Sequence, residues 1–242
     1  MDSTEKTRAI VLKTIKYGDN SLIAKLLTDN NGLQSFMIKG AFNKSAKIRA
    51  ALFQPLTLLD VVSAKSHGEL GYLKEATVEH SYKSIPFDIK KSAIVLFISE
   101  LISKTIQEGQ ADINLFTFTH RALTHLDDMD CSCADFPLKF AIGLSWHLGF
   151  APNINNYKQG LIFDLEEGGF VHNSANAIYI IDNQYCDSFY KLCKNDVLDD
   201  EELHIRNHER RQLLEYVITY FKLHVSGFNE MKSSEILKTV LQ

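Results

Sequence analysis

Five short segments rich in β-branched and apolar side chains occupy the first third of the chain, and turn-forming residues separate them. The turn Asp29-Asn30-Asn31-Gly32 consists of residues that tolerate positive φ, as a tight hairpin requires. Five short strands so close together favour a small closed barrel, because closure removes exposed strand edges. We predict a five-stranded oligonucleotide-binding (OB) barrel, and a five-stranded barrel of another topology is the alternative. The predicted strands are residues 7–15, 21–28, 33–38, 57–62 and 72–79.

The pattern changes at Ser84-Ile85-Pro86, where the proline ends the extended run and prepares a helix start. Beyond it, apolar residues recur at helical spacing, except in a segment near 150–183 that is typical of a small hairpin. The predicted fold class is therefore a multi-domain α+β protein: an OB-fold domain at 1–82, then an α-helical domain at 83–242 with a β-hairpin insert. The predicted helices are residues 88–108, 114–126, 135–148, 184–194, 208–225 and a short last helix that starts near 232.

The charge of the chain is distributed unevenly, although its net value is only −4. Residues 1–50 hold nine Lys and Arg against four Asp and Glu, a net charge of +5. Since the whole chain holds 26 Lys and Arg and 30 Asp and Glu, the other 192 residues carry −9. Such asymmetry indicates a nucleic-acid-facing module on an acidic body.

The densest run of cations lies between the third and fourth predicted strands. This basic loop, residues 39–49, contains one glycine and no acid, and it should present its charged groups outward. Phosphate oxygens need positive charge rather than a shaped pocket, so the loop suits a nucleic-acid backbone. A solvated surface loop is the alternative. Phe36 lies inside an alternating strand and is assigned to the core. The predicted DNA-binding residues are the cations Lys13, Lys16, Lys25, Lys39, Lys44, Lys47 and Arg49 and two loop aromatics for base stacking, Tyr17 and Phe42.

Motifs that would indicate catalysis are absent. The chain has no nucleophile-elbow, phosphate-loop or dinucleotide-binding glycine pattern, and the acids around His204 and His208 are typical of a solvated surface rather than a metal site. Its four cysteines form no Cys-x-x-Cys pair, so they are predicted to be reduced thiols. The N-terminus lacks a secretory signal, and no apolar run reaches the roughly 20 residues of a membrane span. We predict a cytoplasmic, nucleoid-associated protein that is neither an enzyme nor a membrane protein.

Short motifs are spread over nearly the whole chain. In the N-terminal third they are Lys6 to Leu12, Tyr17-Gly18-Asp19, Leu26-Leu27-Thr28 with Gly32, Lys39-Gly40 with the basic loop, and Leu52 to Leu56. Later they are His147-Leu148-Gly149-Phe150, Phe163-Asp164-Leu165 with Gly168-Gly169-Phe170, and Lys232-Ser233 with Ile236-Leu237. Together these motifs resemble the RecO family of bacterial recombination mediators and DNA repair proteins.

The resemblance implies an N-terminal OB fold on a helical C-terminal domain, in agreement with the residue patterns. It also implies a role in the repair of DNA damage and in DNA recombination: binding of single- and double-stranded DNA and annealing of complementary strands. With RecR, such proteins help to load RecA onto DNA coated by single-strand binding protein (SSB), and their helical domain contacts the acidic C-terminal tail of SSB. The cations predicted for the tail contact are Lys104, Arg121 and Lys139.

This chain departs from the family at one point. Many members carry a four-cysteine zinc site after the equivalent of Gly149-Phe150, whereas residues 151–173 here contain no cysteine. The one histidine of this segment, His172, cannot by itself hold a tetrahedral zinc ion. We therefore predict no cofactor and a hairpin packed instead by three apolar side chains, Phe163, Leu165 and Phe170.

A second hypothesis belongs to another functional class. The chain would be a protein-interaction adaptor whose helical domain binds an acidic peptide tail, with DNA contact secondary. Binding of such a peptide by the helical domain would separate the two hypotheses. A hydrolytic enzyme is the third hypothesis, and metal-dependent turnover would support it.

Overall fold

The structure is a computed structural model that describes residues 4–64, 70–109, 111–172 and 178–240. The chain divides into two compact units, which interleave because the chain returns to the first unit after Lys104. The predicted domain boundary after residue 82 stays a prediction. The barrel unit comprises Met1–Phe87 and Thr105–Asp127, and the helical unit comprises Asp88–Lys104 and Asp128–Gln242.

The barrel unit is built on five strands. They are β1 (Thr4–Tyr17), β2 (Ser21–Thr28), β3 (Gly32–Ile38), β4 (Leu58–Ala64) and β5 (Leu70–His80). The sheet closes in the order β1-β2-β3-β5-β4, with β4 paired to β1. Neighbouring strands are antiparallel except for β3 and β5, which are parallel. This strand order is that of an OB barrel, so the predicted OB fold is confirmed over other five-stranded topologies.

The barrel core follows from side-chain alternation along the strands. In β2, Leu22, Ala24 and Leu26 are buried while the residues between them are partly exposed, as the two-residue period of a strand requires. Phe36 of β3 is 3% exposed, which confirms its assignment to the core. Gly71 pairs with it on β5, and a Cβ there would lie only 2.7 Å from Phe36 Cδ1. Glycine therefore allows β5 to approach β3 over this ring.

Helices form most of the remaining structure. They are α1 (Ile89–Thr105), α2 (Ile113–Asp128), α3 (Phe136–His147), α4 (Asn183–Lys194), α5 (Asn207–His224) and α6 (Ser233–Val240). Each overlaps a predicted helix, but α1 ends at Thr105 rather than at residue 108. The reason is that Glu108 forms a β-bridge with Leu33 of β3 instead of continuing the helix. Among the described residues, no helix is both long and apolar enough to cross a membrane.

Helix α2 belongs to the barrel unit and is fixed by an aspartate at each end. Asp112 Oδ1 accepts hydrogen bonds from the backbone N–H groups of Asn114 and Leu115, which would otherwise lack partners in the first turn. At the other end, the buried carboxylate of Asp127 accepts the backbone N–H groups of residues 83–85 at 2.8 to 3.0 Å. Asp127 therefore holds the segment that leaves β5.

The predicted hairpin insert lies in the helical unit. It consists of β6 (Ile162–Asp164) and β7 (Gly169–Val171), and β8 (Ile180–Ile181), which the sequence did not predict, adds a third strand in the order β7-β6-β8. Phe163, Leu165 and Phe170 are buried, as predicted. The Phe163 ring lies 5.0 Å from that of Phe170 and 4.7 Å from that of Phe189 on α4. The small sheet is thus packed by aromatic side chains.

Candidate nucleic-acid interface

The outward side chains of β1, β2, β3 and β5 align across the barrel in two rows. In the first row, Lys13 lies opposite Lys25, which lies opposite Ser35. Residues paired in this way on neighbouring strands point to the same side of the sheet. The second row is Ile15, Ile23, Met37 and Tyr72. We call these seven residues the outer face.

The second row leaves apolar and aromatic surface in contact with water. Ile15 is 50% exposed and Tyr72 is 42% exposed, and Ile23 and Met37 are partly exposed. The solvent side of an antiparallel sheet normally carries polar side chains, so a continuous apolar row there indicates a ligand surface. Nucleobases have flat apolar faces that stack on such side chains.

Two aromatic rings, Tyr72 of the outer face and Phe42 of the basic loop, lie under lysine ammonium groups. Lys39 Nζ lies 4.9 Å from the centre of the Tyr72 ring, and Lys16 Nζ lies 5.9 Å from that of Phe42. The Phe42 N–H donates to the carbonyl of Asn20 at 3.4 Å, which joins the basic loop to the β1–β2 turn. Each pair sets a positive charge against a ring on which a base can stack.

The basic loop is anchored to the barrel near both ends. Ala41 and Ile48 are 3% and 8% exposed and belong to the barrel core. Backbone hydrogen bonds form turns between them. Lys44, Lys47 and Arg49 project from this folded loop and are exposed. The loop therefore presents its cations from a defined position rather than from an unanchored segment.

Two of the seven predicted cations have an acidic partner. Lys47 Nζ lies 3.0 Å from a carboxylate oxygen of Glu75 on β5, and Lys25 Nζ lies 2.8 Å from one of Glu108. The other cations attract a polyanion without first losing an ion pair. Within the part of the chain that the structure describes, no carboxylate pairs with Lys13, Lys16, Lys39, Lys44 or Arg49.

The structure gathers the predicted DNA-binding residues on the outer face, in the basic loop and at the end of β1, where Tyr17 is 56% exposed. Their role in binding stays a prediction. Tyr72 is the candidate that the sequence interpretation missed, because it was placed in a strand without being assigned to a face. The sequence signal was the two-residue period of a strand, which places Tyr72 on the same face as Lys74 and opposite to Leu73.

The three cations predicted to bind a peptide tail are divided between the two units. Arg121 is exposed but belongs to the barrel unit, whereas Lys104 and Lys139 belong to the helical unit. Lys104 forms an ion pair of 3.7 Å with a carboxylate one helical turn earlier. Lys139 is 5% exposed, and its ammonium donates to the backbone carbonyls of residues 199 and 201 at 2.8 and 2.9 Å. Because it is enclosed and hydrogen-bonded internally, Lys139 cannot offer its charge to a peptide.

A shallow pocket opens on the helical unit between α3, α5 and α6. Leu138, Leu214 and Leu237 contribute its apolar walls. Arg211 also lines it and is exposed, whereas the neighbouring Arg210 donates to Asp135 at 2.7 Å. Apolar walls beside an exposed guanidinium suit a peptide that carries both apolar and acidic groups.

The insert does not offer the donors of a structural zinc site. It has no thiolate, and Phe163 and Phe170 fill its buried positions. The partly exposed Tyr157 ring packs 4.7 Å from that of Phe170. Within the described ranges, no group of three or more His, Cys, Asp or Glu could hold a metal ion. His204 lies outside α5 with φ of 50°, so it does not share a helical face with His208. The residues present therefore do not fit a tetrahedral zinc ion, and the absence of a cofactor stays a prediction.

Comparison with known proteins gives the same family over both units. The sequence pattern described as "Recombination protein O N terminal" matches residues 1–82, and the one described as "Recombination protein O C terminal" matches residues 86–235. The chain is 37% identical over 239 residues to the DNA repair protein RecO of Flavobacterium psychrophilum, covering 97% of this chain and 98% of that protein. It is 32% identical to the RecO of Bacteroides fragilis and 31% identical to that of Christiangramia forsetii, with the same shares covered. The chain belongs to the RecO family.

Proposed function

We propose that the chain is a DNA-binding mediator of repair and recombination that catalyses no reaction. The observation that carries this proposal is the exposed apolar row ending at Tyr72, with Lys13 in the adjoining row and Lys39 over the tyrosine ring. Cations without a described acidic partner meet phosphates, and the apolar row meets bases. Neither contact depends on base identity, so binding is independent of sequence.

Annealing requires little more than such a surface. Two complementary strands repel each other through their phosphates, and cations on the protein reduce that repulsion while bases remain able to pair. Family membership supports the further parts of the proposal: binding of single- and double-stranded DNA, cooperation with RecR, and help in loading RecA onto SSB-coated DNA. None of these roles needs a nucleophile or a general base.

The test removes the exposed cations of the basic loop. Replacing Lys44, Lys47 and Arg49 together by alanine should lower affinity for unrelated DNA strands alike and flatten the dependence of affinity on salt. The matched control removes three exposed cations of the helical unit, Lys158, Lys194 and Lys222, for the same change in net charge. Equal affinity in the wild type and the loop variant would show that the loop does not bind DNA.

A second function is favoured by the pocket between α3, α5 and α6. The chain would bind the acidic C-terminal tail of SSB there, with apolar tail side chains against the three leucines and a tail carboxylate at Arg211. Lys104 and Arg121 stay predicted contributors, and Lys139 is left out because it is buried. If binding of the SSB tail were the main role, the chain would be an adaptor whose DNA contact is secondary.

A tail peptide added to the full chain tests this second function. The variant Arg211→Glu should lose peptide binding, whereas Lys222→Glu, an equal charge change at an exposed position of the same helix, should retain it. If the wild type binds no peptide, the adaptor function is wrong. If both variants bind equally well, the pocket is not the site.

A further inference from the structure

An acidic side chain of the segment after α1 lies on the outer face. Glu108 forms a parallel bridge with Leu33, and the N–H of Gly109 donates to the Leu33 carbonyl at 3.4 Å. Among the described residues, β5 pairs with β3 from Ser35 to Met37, so Leu33 lies outside the described part of this pairing. The segment after α1 therefore pairs with the start of β3, and the Glu108 side chain meets the lysine row.

Two residues of the outer face bind the same oxygen of this carboxylate. Lys25 Nζ lies 2.8 Å from Glu108 Oε1, and Ser35 Oγ donates to that oxygen at 3.1 Å. The hydrogen bond from Lys25 lowers the pKa of Glu108 below its ordinary value; partial burial opposes this shift, and the bond from Ser35 adds to it. The carboxylate is therefore charged at neutral pH.

The chemistry of this contact is that of a phosphate site. An ammonium and a hydroxyl that converge on one anionic oxygen serve a phosphate oxygen equally well. Lys13 lies opposite Lys25 in the same row, on the side away from Ser35, and pairs with no described carboxylate. A strand that follows the lysine row would bring a phosphate to the position of the Glu108 carboxylate.

We propose that Lys25 and Ser35 form a phosphate subsite of the outer face, and that Glu108 occupies this subsite as an internal competitor until DNA displaces it. The inference rests on the proposed DNA-binding function and adds its regulation. The competitor weakens every encounter with DNA by the cost of breaking one ion pair. The displaced carboxylate also takes up a cation, which offsets one of the counterions that the DNA releases.

The test measures binding of a labelled oligothymidylate strand to the full chain across a salt series. The variant Glu108→Gln keeps the shape of the side chain and an acceptor for Ser35, so it should fold normally. It should bind two- to fivefold more tightly at low salt, about the effect of removing one exposed ion pair. Its dependence of log affinity on log salt should be steeper by about 0.7, the value for one phosphate contact on a single strand.

Two further variants separate competition from a general charge effect. Asp60→Asn makes the same charge change on β4, which does not adjoin β2 or β3, and it should alter affinity less. In a Lys25→Gln background, Glu108→Gln should gain no more affinity than Asp60→Asn does, because no ion pair remains to be broken. The inference is wrong if Glu108→Gln matches Asp60→Asn in the wild-type background, or if its full gain persists without Lys25. A wild type that binds no strand at low salt would instead contradict the proposed function itself.

Discussion

Two groups of cations, one in each compact unit, make different contacts. In the helical unit, Lys139 donates to two backbone carbonyls, Arg210 to Asp135, and Lys238 pairs with two glutamates. In the described part of the barrel unit, Lys13 and Lys39 pair with no carboxylate. A cation bonded inside its unit stabilises the fold, whereas a cation left in water remains available to phosphate. The state of each cation therefore says more about function than the count of charges.

The largest effect is expected at a buried cation of the helical unit. Lys139→Ala leaves the carbonyls of residues 199 and 201 without their donor and opens a cavity, so the free energy of unfolding should fall by about 3 kcal/mol. Affinity for DNA should not change. Unfolding by urea, followed by the fluorescence of Trp146, reports on this unit, because it is the chain's single tryptophan. A loss similar to that of Lys44→Ala, which should stay within about 0.5 kcal/mol, would remove the distinction between the units.

The next largest effect is expected for the carboxylate of Asp127. It tests whether a buried charge also stabilises the barrel unit. Burial raises the pKa of Asp127, but the N–H groups of residues 83–85 outweigh burial, so its pKa in the folded chain lies below the ordinary value. A lowered folded pKa contributes stability above the unfolded pKa of about 3.9, and this contribution is lost as pH falls through the folded value. Asp127→Asn should cost about 2 kcal/mol at pH 7 and less in acid.

Circular dichroism during urea unfolding at pH 7 and at pH 3 measures this difference. If Asp127→Asn lowers the free energy of unfolding equally at both pH values, the charge of Asp127 is not what stabilises the segment that follows β5. Asp60→Asn is the control, because Asp60 is a partly exposed residue of the same unit.

Substitution of Tyr72 tests whether the barrel unit binds bases as well as phosphates. Tyr72→Ala should weaken single-strand binding about tenfold, since stacking of one base on an aromatic ring contributes roughly 1–3 kcal/mol. Duplex binding should change little, because paired bases do not reach the apolar row. Tyr72→Phe keeps the ring and should keep the affinity. Fluorescence anisotropy with matched single and double strands measures all three, and an equal loss for both DNA forms would contradict stacking at Tyr72.

The smallest effect is expected at a single exposed cation. Lys13→Gln should lower affinity a few-fold and reduce the salt slope by about 0.7 for a single strand, because one phosphate contact is lost. Stability should change by no more than about 0.5 kcal/mol, since Lys13 has no described ion pair to lose. A thermal unfolding curve beside the binding series gives both numbers. A clear stability loss without a change in affinity would place Lys13 with the structural cations.

The sequence predicted the barrel well because its signals are local. Alternation along β2 and the turn at residues 29–32 determine where strands start and stop, and Phe36 was correctly assigned to the core. The closed order with β5 beside β3 was predicted only as one of two topologies, since strand order depends on contacts between distant segments. The small β8 was missed because two residues carry no detectable period.

The candidate site was predicted less completely, because the groups that a cation contacts can lie far from it in the sequence. Nothing near Lys139 in the sequence indicates that residues 199 and 201 will enclose its ammonium. In the same way, Lys25 and Glu108 are far apart in the chain, and helical periodicity had assigned Glu108 to α1. Charge composition pointed to the first third of the chain, whereas only the structure distinguishes an unpaired cation from a paired one.

The most direct test of the account is the affinity of the wild-type chain for labelled single strands of unrelated sequence across a salt series. We expect a steep fall in affinity with rising salt, with the same slope for every sequence, because phosphates make most of the contacts. Absence of binding even at low salt would contradict the account. So would an affinity that depends on sequence and not on salt.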